Sequence, residues 1–420
     1  MIRHAVPVSL RQWLRSRSRL SLLLVLSALL AGASTATAGE LSGWRVVWTS
    51  DPATQADILW NTEEAGKSHT VYYDTEPRNG RADDYAHRVK CERNGAYTQA
   101  SGRKSESLFY HLAKLKDLEP GTQYYFIMES DGKRSRELHF ETGPADDRPF
   151  RLIYGGDSRT DAKARRSVNK MIADFTAKDP QILAFVHGGD YIAKGTALDQ
   201  WDEWMRDHEL TVTESGRILP IVPARGNHDR GPLFDEVFGF PDGDENYYAF
   251  DIGPECRLIN LNTELSAAGD QREWLERELP EARARRWVIA QYHRPAWPAV
   301  KGPSEAFRHW VPLFEKYNVD LVCEADGHNI KRTPGIRDGK ADPTGVVYIG
   351  EGGLGVPQRT PKTEERWFLQ APGKAGSGHH IHLLSISPEH LRIQVVLLEG
   401  REIFDDHSLT PRMQLQPVGR

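Results

Sequence analysis

Cysteine is scarce: Cys91, Cys256 and Cys323 are the only three in 420 residues, too few and too scattered for a disulfide framework. Positive charge is not in excess either. Lys and Arg number 54 against 59 Asp and Glu, a formal charge of −5, which excludes a general electrostatic pull toward nucleic acid or anionic lipid. Beyond residue 38 no apolar stretch is long enough for a transmembrane helix. Internal repeats and low-complexity tracts are absent. The glycine-rich stretch from Ile349 to Gly355 lacks the Lys-Ser/Thr of a P-loop and any following helix, so a nucleotide loop is excluded there.

What is present begins with Arg3, Arg11, Arg15, Arg17 and Arg19, then an apolar run from Leu20 to Ala31, then Ala36-Thr37-Ala38. That order is the pattern of a secretory signal cleaved after Ala38, so residues 1–38 are set apart from the fold. A periplasmic or secreted protein with no stable membrane anchor is expected. Removing five arginines and no acids takes the formal charge from −5 to −10.

The length suggests two domains. Residues 39–145 read as all-β, with short strands at Trp44 to Trp48, Ala56 to Trp60, Thr70 to Tyr73, Gln123 to Met128 and Glu137 to Glu141. Turn residues separate them, notably Asn79-Gly80, Glu119-Pro120-Gly121 and Asp131-Gly132, and the spacing fits a β-sandwich. Gly143 to Pro149 is a polar, proline-containing joint. In residues 146–410 strands at Phe150 to Tyr154, Ile182 to Val186, Trp287 to Ala290 and Val319 to Cys323 alternate with helical patterns. Those patterns cover Ala162 to Ala177, Asp199 to Leu210, Gly269 to Leu279 and Glu305 to Tyr317, as in a layered α/β domain. Strands return at His380 to Ile386, Leu391 to Leu398 and Ile403 to Phe404, and residues 411–420 are a tail. A Cys91–Cys256 bridge would have to cross domains and is not expected.

Five short segments carry the chemistry: Gly156-Asp157-Ser158-Arg159, Gly189-Asp190-Tyr191, Gly226-Asn227-His228-Asp229, Tyr292-His293-Arg294 and Asp326-Gly327-His328. Most follow a strand. A single acid at a strand end is more often a helix cap or turn former. Five ordered segments alternating carboxylate, amide and imidazole are the makings of a metal site on an α/β scaffold.

These segments resemble the signature blocks of the calcineurin-like metallophosphoesterases, above all Gly226-Asn227-His228-Asp229. The preceding sandwich resembles the N-terminal domain of purple acid phosphatases, and Leu118 to Tyr125 resembles the turn and strand of fibronectin type III domains, where the Tyr packs. The resemblance implies a fibronectin III-like β-sandwich followed by a four-layer α/β sandwich. It also implies two divalent metal ions (Fe, Mn, Zn or Mg) and a phosphoric ester hydrolase in which a metal-bound hydroxide attacks phosphorus. Asp190 matches the bridging carboxylate, Asp157 a ligand of the first ion, and Asn227 and His293 ligands of the second. For the last block two registers are possible. Taken from Gly327-His328, the family's second His falls on Ile330, which cannot ligate. Taken without a gap from Val319, Asp326 joins the second ion and His328 the first, and Asn329, Arg332 and Thr333 also fall in place; this register is preferred.

Three positions depart from the family, the first being Asp326, which in the preferred register falls on the first His of the family's last block. Arg159 stands where many members carry a ligating His. A guanidinium has no free lone pair, so it is suited to gripping phosphate or to a surface salt bridge. Ala193 stands where purple enzymes carry a ligating Tyr, so no tyrosinate colour is expected. By resemblance, His228 donates to the phosphate or protonates the leaving oxygen, with Asp229 orienting it, and Arg294 and Arg225 are candidate phosphate contacts. His379-His380-x-His382 and Trp201, Trp204, Trp297 and Trp310 read as structural. The expected substrate is a phosphorylated small molecule, a phosphomonoester, and nucleic acid is not expected. The alternatives are a phosphodiesterase or nucleotide hydrolase on the same site, or a non-catalytic phospho-ligand binding protein.

Overall fold

A computed structural model describes residues 41–412. The expected signal lies outside the described residues. Among them, no helix is long and apolar enough to cross a membrane, and all three cysteines are free.

Two sheets organise the α/β part. In the first, Phe150–Gly155, Ile182–His187 and Ile221–Pro223 run parallel, with Gly155, His187 and Pro223 in register. His380–Ile386, Leu391–Leu397 and Ile403–Leu409 extend it antiparallel. In the second, Cys256–Asn260, Trp287–Gln291, Leu321–Cys323 and Val347–Gly350 run parallel, with Asn260, Gln291, Cys323 and Ile349 in register. Side chains along a strand alternate faces, which builds the layers. Leu152, Tyr154 and Val186 meet Leu258, Ile289 and Cys323 between the sheets. Ile153 and Phe185 face Val168, Met171, Trp201 and Trp204 of the helices Ala162–Lys178 and Leu198–His208. On the far side, Val288 and Val322 pack with Leu275 and Leu279 of the helix Asp270–Ala282 and with Phe314. The result is helix, sheet, sheet, helix, and every chemistry-bearing loop leaves the carboxyl end of a parallel strand, where such folds bind ligands.

The N-terminal part is a β-sandwich. One face is Ser42–Val47, Ala56–Thr62, Lys104–Leu115 and Arg93–Thr98; the other is built on His69–Asp74 and Gln123–Ser130. Tyr124 is buried, and its phenol accepts the Glu119 amide proton at 2.9 Å. The sandwich does not stand apart. Val47 pairs in parallel with Ile221, so its first sheet and the first α/β sheet form one ten-stranded sheet. Buried Arg45 donates to the Val237 carbonyl at 2.8 Å and to the Tyr97 hydroxyl at 3.1 Å. The joint is equally tied down, with the Gly143 amide bonded to the Pro52 carbonyl at 2.8 Å.

Some expected elements need correction. The helix expected at Glu305 to Tyr317 is two short ones, Ala306–His309 and Val311–Lys316, because Pro312 lacks the amide proton that would continue the first. Arg412, within the expected tail, places its guanidinium 3.3 Å from Asp320.

His208 is buried between Trp204 and Phe185. Burial, with help from Arg45, pushes its imidazole down to about 3 from 6.5. The unfolded chain takes a proton below pH 6.5 that the folded chain refuses, so this contribution is complete above 6.5 and is lost as pH falls toward 3. In urea titrations His208→Phe is therefore expected to gain on the wild type by about 1.4 kcal/mol per pH unit below ~6.5. A pH-independent difference would refute the assignment.

Candidate metal centre

The ligand loops are tight. Asp157, Asp190, Asp326 and His328 all have left-handed backbones, with φ of 56°, 60°, 67° and 59°. Such conformations cost about 1 kcal/mol or more each for a side-chain-bearing residue and concentrate at functional sites. Glycines make room for the carboxylates. A Cβ on Gly352 (φ +80°) would sit 2.0 Å from Asp157 Oδ2, and one on Gly226 would sit 2.3 Å from the Asp190 nitrogen. Gly352→Ala should weaken metal binding by about an order of magnitude by displacing Asp157; equilibrium dialysis with unchanged affinity would contradict this.

Asp157, Asp190, His293 and Asp326, all buried, bring one ligand atom each within 4.8 Å of one another. His293 Nε2 lies 3.3 Å from Asp190 Oδ1, 3.3 Å from Asn227 Oδ1 and 3.7 Å from Asp326 Oδ1. His328 Nε2 lies 3.1 Å from Asp157 Oδ1. Two donors bound to one ion at about 2.1 Å sit about 3.0 Å apart at a right angle and about 3.4 Å apart in a tetrahedron. Three of the four spacings fall between those edges, and the 3.7 Å from His293 to Asp326 is slightly wider.

The orientations agree. His293 Nδ1 donates to the Gly188 carbonyl at 2.8 Å and His328 Nδ1 to the Pro357 carbonyl at 3.2 Å, so in the neutral rings both Nε2 lone pairs face the cluster. Asp157 Oδ1 is buried with no hydrogen-bond donor. The concentrated negative charge demands a cation. Burial disfavours charge on His293, but Asp190 above all, then Asp157 and Asp326, outweigh it and raise the imidazole well above its ordinary value. Burial likewise opposes ionisation of Asp190, and His293 outweighs it and holds the carboxyl low. The residues present fit divalent cations, and Ile330 is a buried residue of the strand Ile330–Arg332.

Other expected residues fall in different places. Arg159 points into the cluster and not outward, with Nε donating to Asp190 Oδ2 at 3.1 Å and Nη2 lying 3.2 Å from His328 Nε2. His228 lies at the rim, with Nε2 4.0 Å from Asp190 Oδ2. Asp229 does not orient it, which corrects the expectation. The ring is held by the Ala193 carbonyl, 2.7 Å from Nδ1. Asp229 instead accepts amide protons from Gly226, Asp190 and Tyr191 at 2.8, 2.8 and 3.0 Å, cross-linking two ligand loops. Burial first, and the charge of Asp190 second, push its carboxyl up to about 7.

Arg294 is not brought into the cluster, because Glu264 holds its guanidinium at 2.7 Å. Arg225 clamps its own loop through Asn246 at 2.8 Å and the Gly231 carbonyl. His380, His382, Trp201, Trp204, Trp297 and Trp310 are buried. Sequence reasoning missed Lys301, whose ammonium pairs with Asp326, and Arg359, which donates to the Asp326 carbonyl at 3.2 Å. Neither lies in a recognisable motif; only the fold brings them to the rim.

Two family models match the chain: "Purple acid Phosphatase, N-terminal domain" over residues 42–142 and "Calcineurin-like phosphoesterase" over residues 156–329. An uncharacterised protein of Mycobacterium tuberculosis is 26% identical over 297 residues, spanning 59% of this chain and 53% of that protein; the match thus covers about half that relative's length. Purple acid phosphatase 23 of Arabidopsis thaliana is 24% identical over 378 residues, spanning 79% of this chain and 77% of that protein. Among solved structures, the purple acid phosphatase PPD1 from yellow lupin (Lupinus luteus) seeds superposes with a TM-score of 0.72 at 17% identity. It covers 89% of this chain and 74% of that one, a likeness of fold. Tyr191 is buried against His187 and Trp204, away from a ligating position, so the iron-loaded protein should show no visible tyrosinate charge-transfer band. Absorption spectroscopy checks this, and a purple colour would refute it.

Proposed function

We propose, for a chain that belongs to the calcineurin-like metallophosphoesterases and carries a purple acid phosphatase N-terminal domain, the hydrolysis of phosphomonoesters on small molecules, with two divalent ions. The observation that carries this is the convergence of carboxylate, amide and imidazole atoms from Asp157, Asp190, Asn227, His293, Asp326 and His328, all buried except the half-buried Asn227, with Asp157 Oδ1 left without a hydrogen-bond donor. Asp157, Asp190 and His328 would hold the first ion, and Asp190, Asn227, His293 and Asp326 the second. Bound there, the ions supply positive charge that polarises a phosphoryl oxygen and acidifies water.

The chain's own residues do the rest. Arg159 within the cluster, and Lys301 and Arg359 beside Asp326, add cationic groups next to the carboxylates. A fork such as Arg159 grips two oxygens of a terminal phosphate. A monoester dianion has more charge to offer these groups than a diester monoanion, which favours the monoesterase reading. His228, anchored through Nδ1, keeps Nε2 toward the cluster and partly exposed, placed to give a proton to the leaving oxygen. Export is supported by the order of Arg3 to Arg19, Leu20 to Ala31 and Ala36-Thr37-Ala38, and N-terminal sequencing of the mature protein tests it.

Rates on an aryl phosphate and a bis-aryl phosphate decide the class. The monoester should be preferred by about a hundredfold or more in kcat/KM, some 2.7 kcal/mol of transition-state discrimination. A preference for the diester would establish the phosphodiesterase alternative. No hydrolysis with any divalent metal would favour a phospho-ligand binding protein.

A further inference from the structure

The three atoms assigned to the first ion are not equally free. His328 Nδ1 is engaged by the Pro357 carbonyl, which leaves one lone pair, on Nε2. Arg159 Nη2 points at that nitrogen from 3.2 Å, while its Nε donates to Asp190 Oδ2 at 3.1 Å. Arg159 thus spans two of the three ligand atoms of the first site, and its side chain is only 13% exposed.

An imidazole nitrogen has a single lone pair, and a proton donor and a metal ion cannot both use it. Guanidinium cannot relieve the conflict by losing its charge. Carboxylates are different, because each oxygen keeps a second lone pair. Asp190 can therefore accept from Arg159 and still ligate, and Asp326 can accept from Lys301 and still ligate. The exclusion is confined to His328, and so to the first site.

We propose that Arg159 makes the first ion conditional: the second site, at Asp190, Asn227, His293 and Asp326, fills tightly by itself. The first fills weakly until a phosphate draws Arg159 off His328. This rests on reading the cluster as a metal centre. A phosphate offers the fork two parallel charge-assisted hydrogen bonds in exchange for those to Asp190 and His328, so substrate and first ion enter together. No ester bond forms or breaks in this step; one hydrogen-bond partner of Arg159 replaces another.

The test is Mn2+ binding to the metal-stripped mature protein, by equilibrium dialysis with electron paramagnetic resonance, with and without inorganic phosphate. The wild type should bind one Mn2+ tightly and a second at least about tenfold more weakly, as expected when charge-assisted bonds must first break. An exchange-coupled pair signal should grow with phosphate. Arg159→Ala and Arg159→Met should bind both ions with similar affinity without phosphate, and phosphate should no longer promote the second. Two equivalent ions in the wild type without phosphate would overturn the proposal, as would variants whose second Mn2+ binds as weakly as in the wild type. The phosphate dependence is measurable on the wild type alone, so the test survives if neither variant folds. Failure to bind any Mn2+ would instead overturn the metal-centre reading itself.

Discussion

Asp190→Asn should reduce turnover of an aryl phosphate to the level of buffer and strip the protein of both ions, while the fold survives. The asymmetry follows from what each Asp190 oxygen does. Oδ1 accepts the His228 amide proton at 2.9 Å and lies 3.3 Å from His293 Nε2, and Oδ2 is bonded to Arg159. An amide oxygen can keep the His228 contact but cannot supply the negative charge shared between two cations. Loss of activity alone would be ambiguous, so metal content is measured beside it, with circular dichroism as the control for folding. Retained hydrolysis in a variant that has lost its metals would rule out the proposed chemistry.

The second large effect lies just beneath the ligands, at Lys331. Its ammonium is fully buried and spends its donors on Glu324, on Glu351 at 2.8 Å and on the Trp297 carbonyl at 2.7 Å. Burial opposes its charge, but Glu324 and Glu351 outweigh that and raise it. Glu324 in turn accepts the Tyr292 hydroxyl at 2.7 Å, next to His293, and the Glu351 carbonyl accepts the His328 amide proton at 2.7 Å. One cation therefore braces the loops of His293, Asp326 and His328. Lys331→Met leaves two buried carboxylates without a countercharge and should cost about 3–5 kcal/mol in denaturant unfolding. Adding Glu351→Gln should recover part of that loss by removing one stranded charge. A single-variant loss under about 1 kcal/mol would mean that the network is not held as described.

Legibility in the sequence followed the strength of local pattern. Phe150–Gly155 and Ile182–His187 were plain because buried parallel strands are continuous apolar runs, and the loops after them stood out as Gly-Asp pairs. Lys104–Leu115 was missed. Its alternating polar and apolar residues, with Lys, Glu and Ser on the exposed face, carry few of the β-branched residues that mark a strand, and cross-strand pairing with Ala56–Thr62 decides it. Asp229 was placed in the right loop but given the wrong task. Adjacency in sequence suggested His228 as its partner, whereas its oxygens reach the amides of another loop.

The kinds of atoms available at the site, and the strand ends that carry them, were determined by the sequence alone, because ligand chemistry and apolar periodicity are properties of residues and their order. Which way each group turns was decided only by the tertiary structure: Arg159 inward onto His328, Arg294 away to Glu264, Lys301 and Lys331 into place from segments with no motif. Hydrogen bonds and charge act over a few ångströms of space, and residues 159 and 328 become neighbours only when the ends of two sheets are packed against each other.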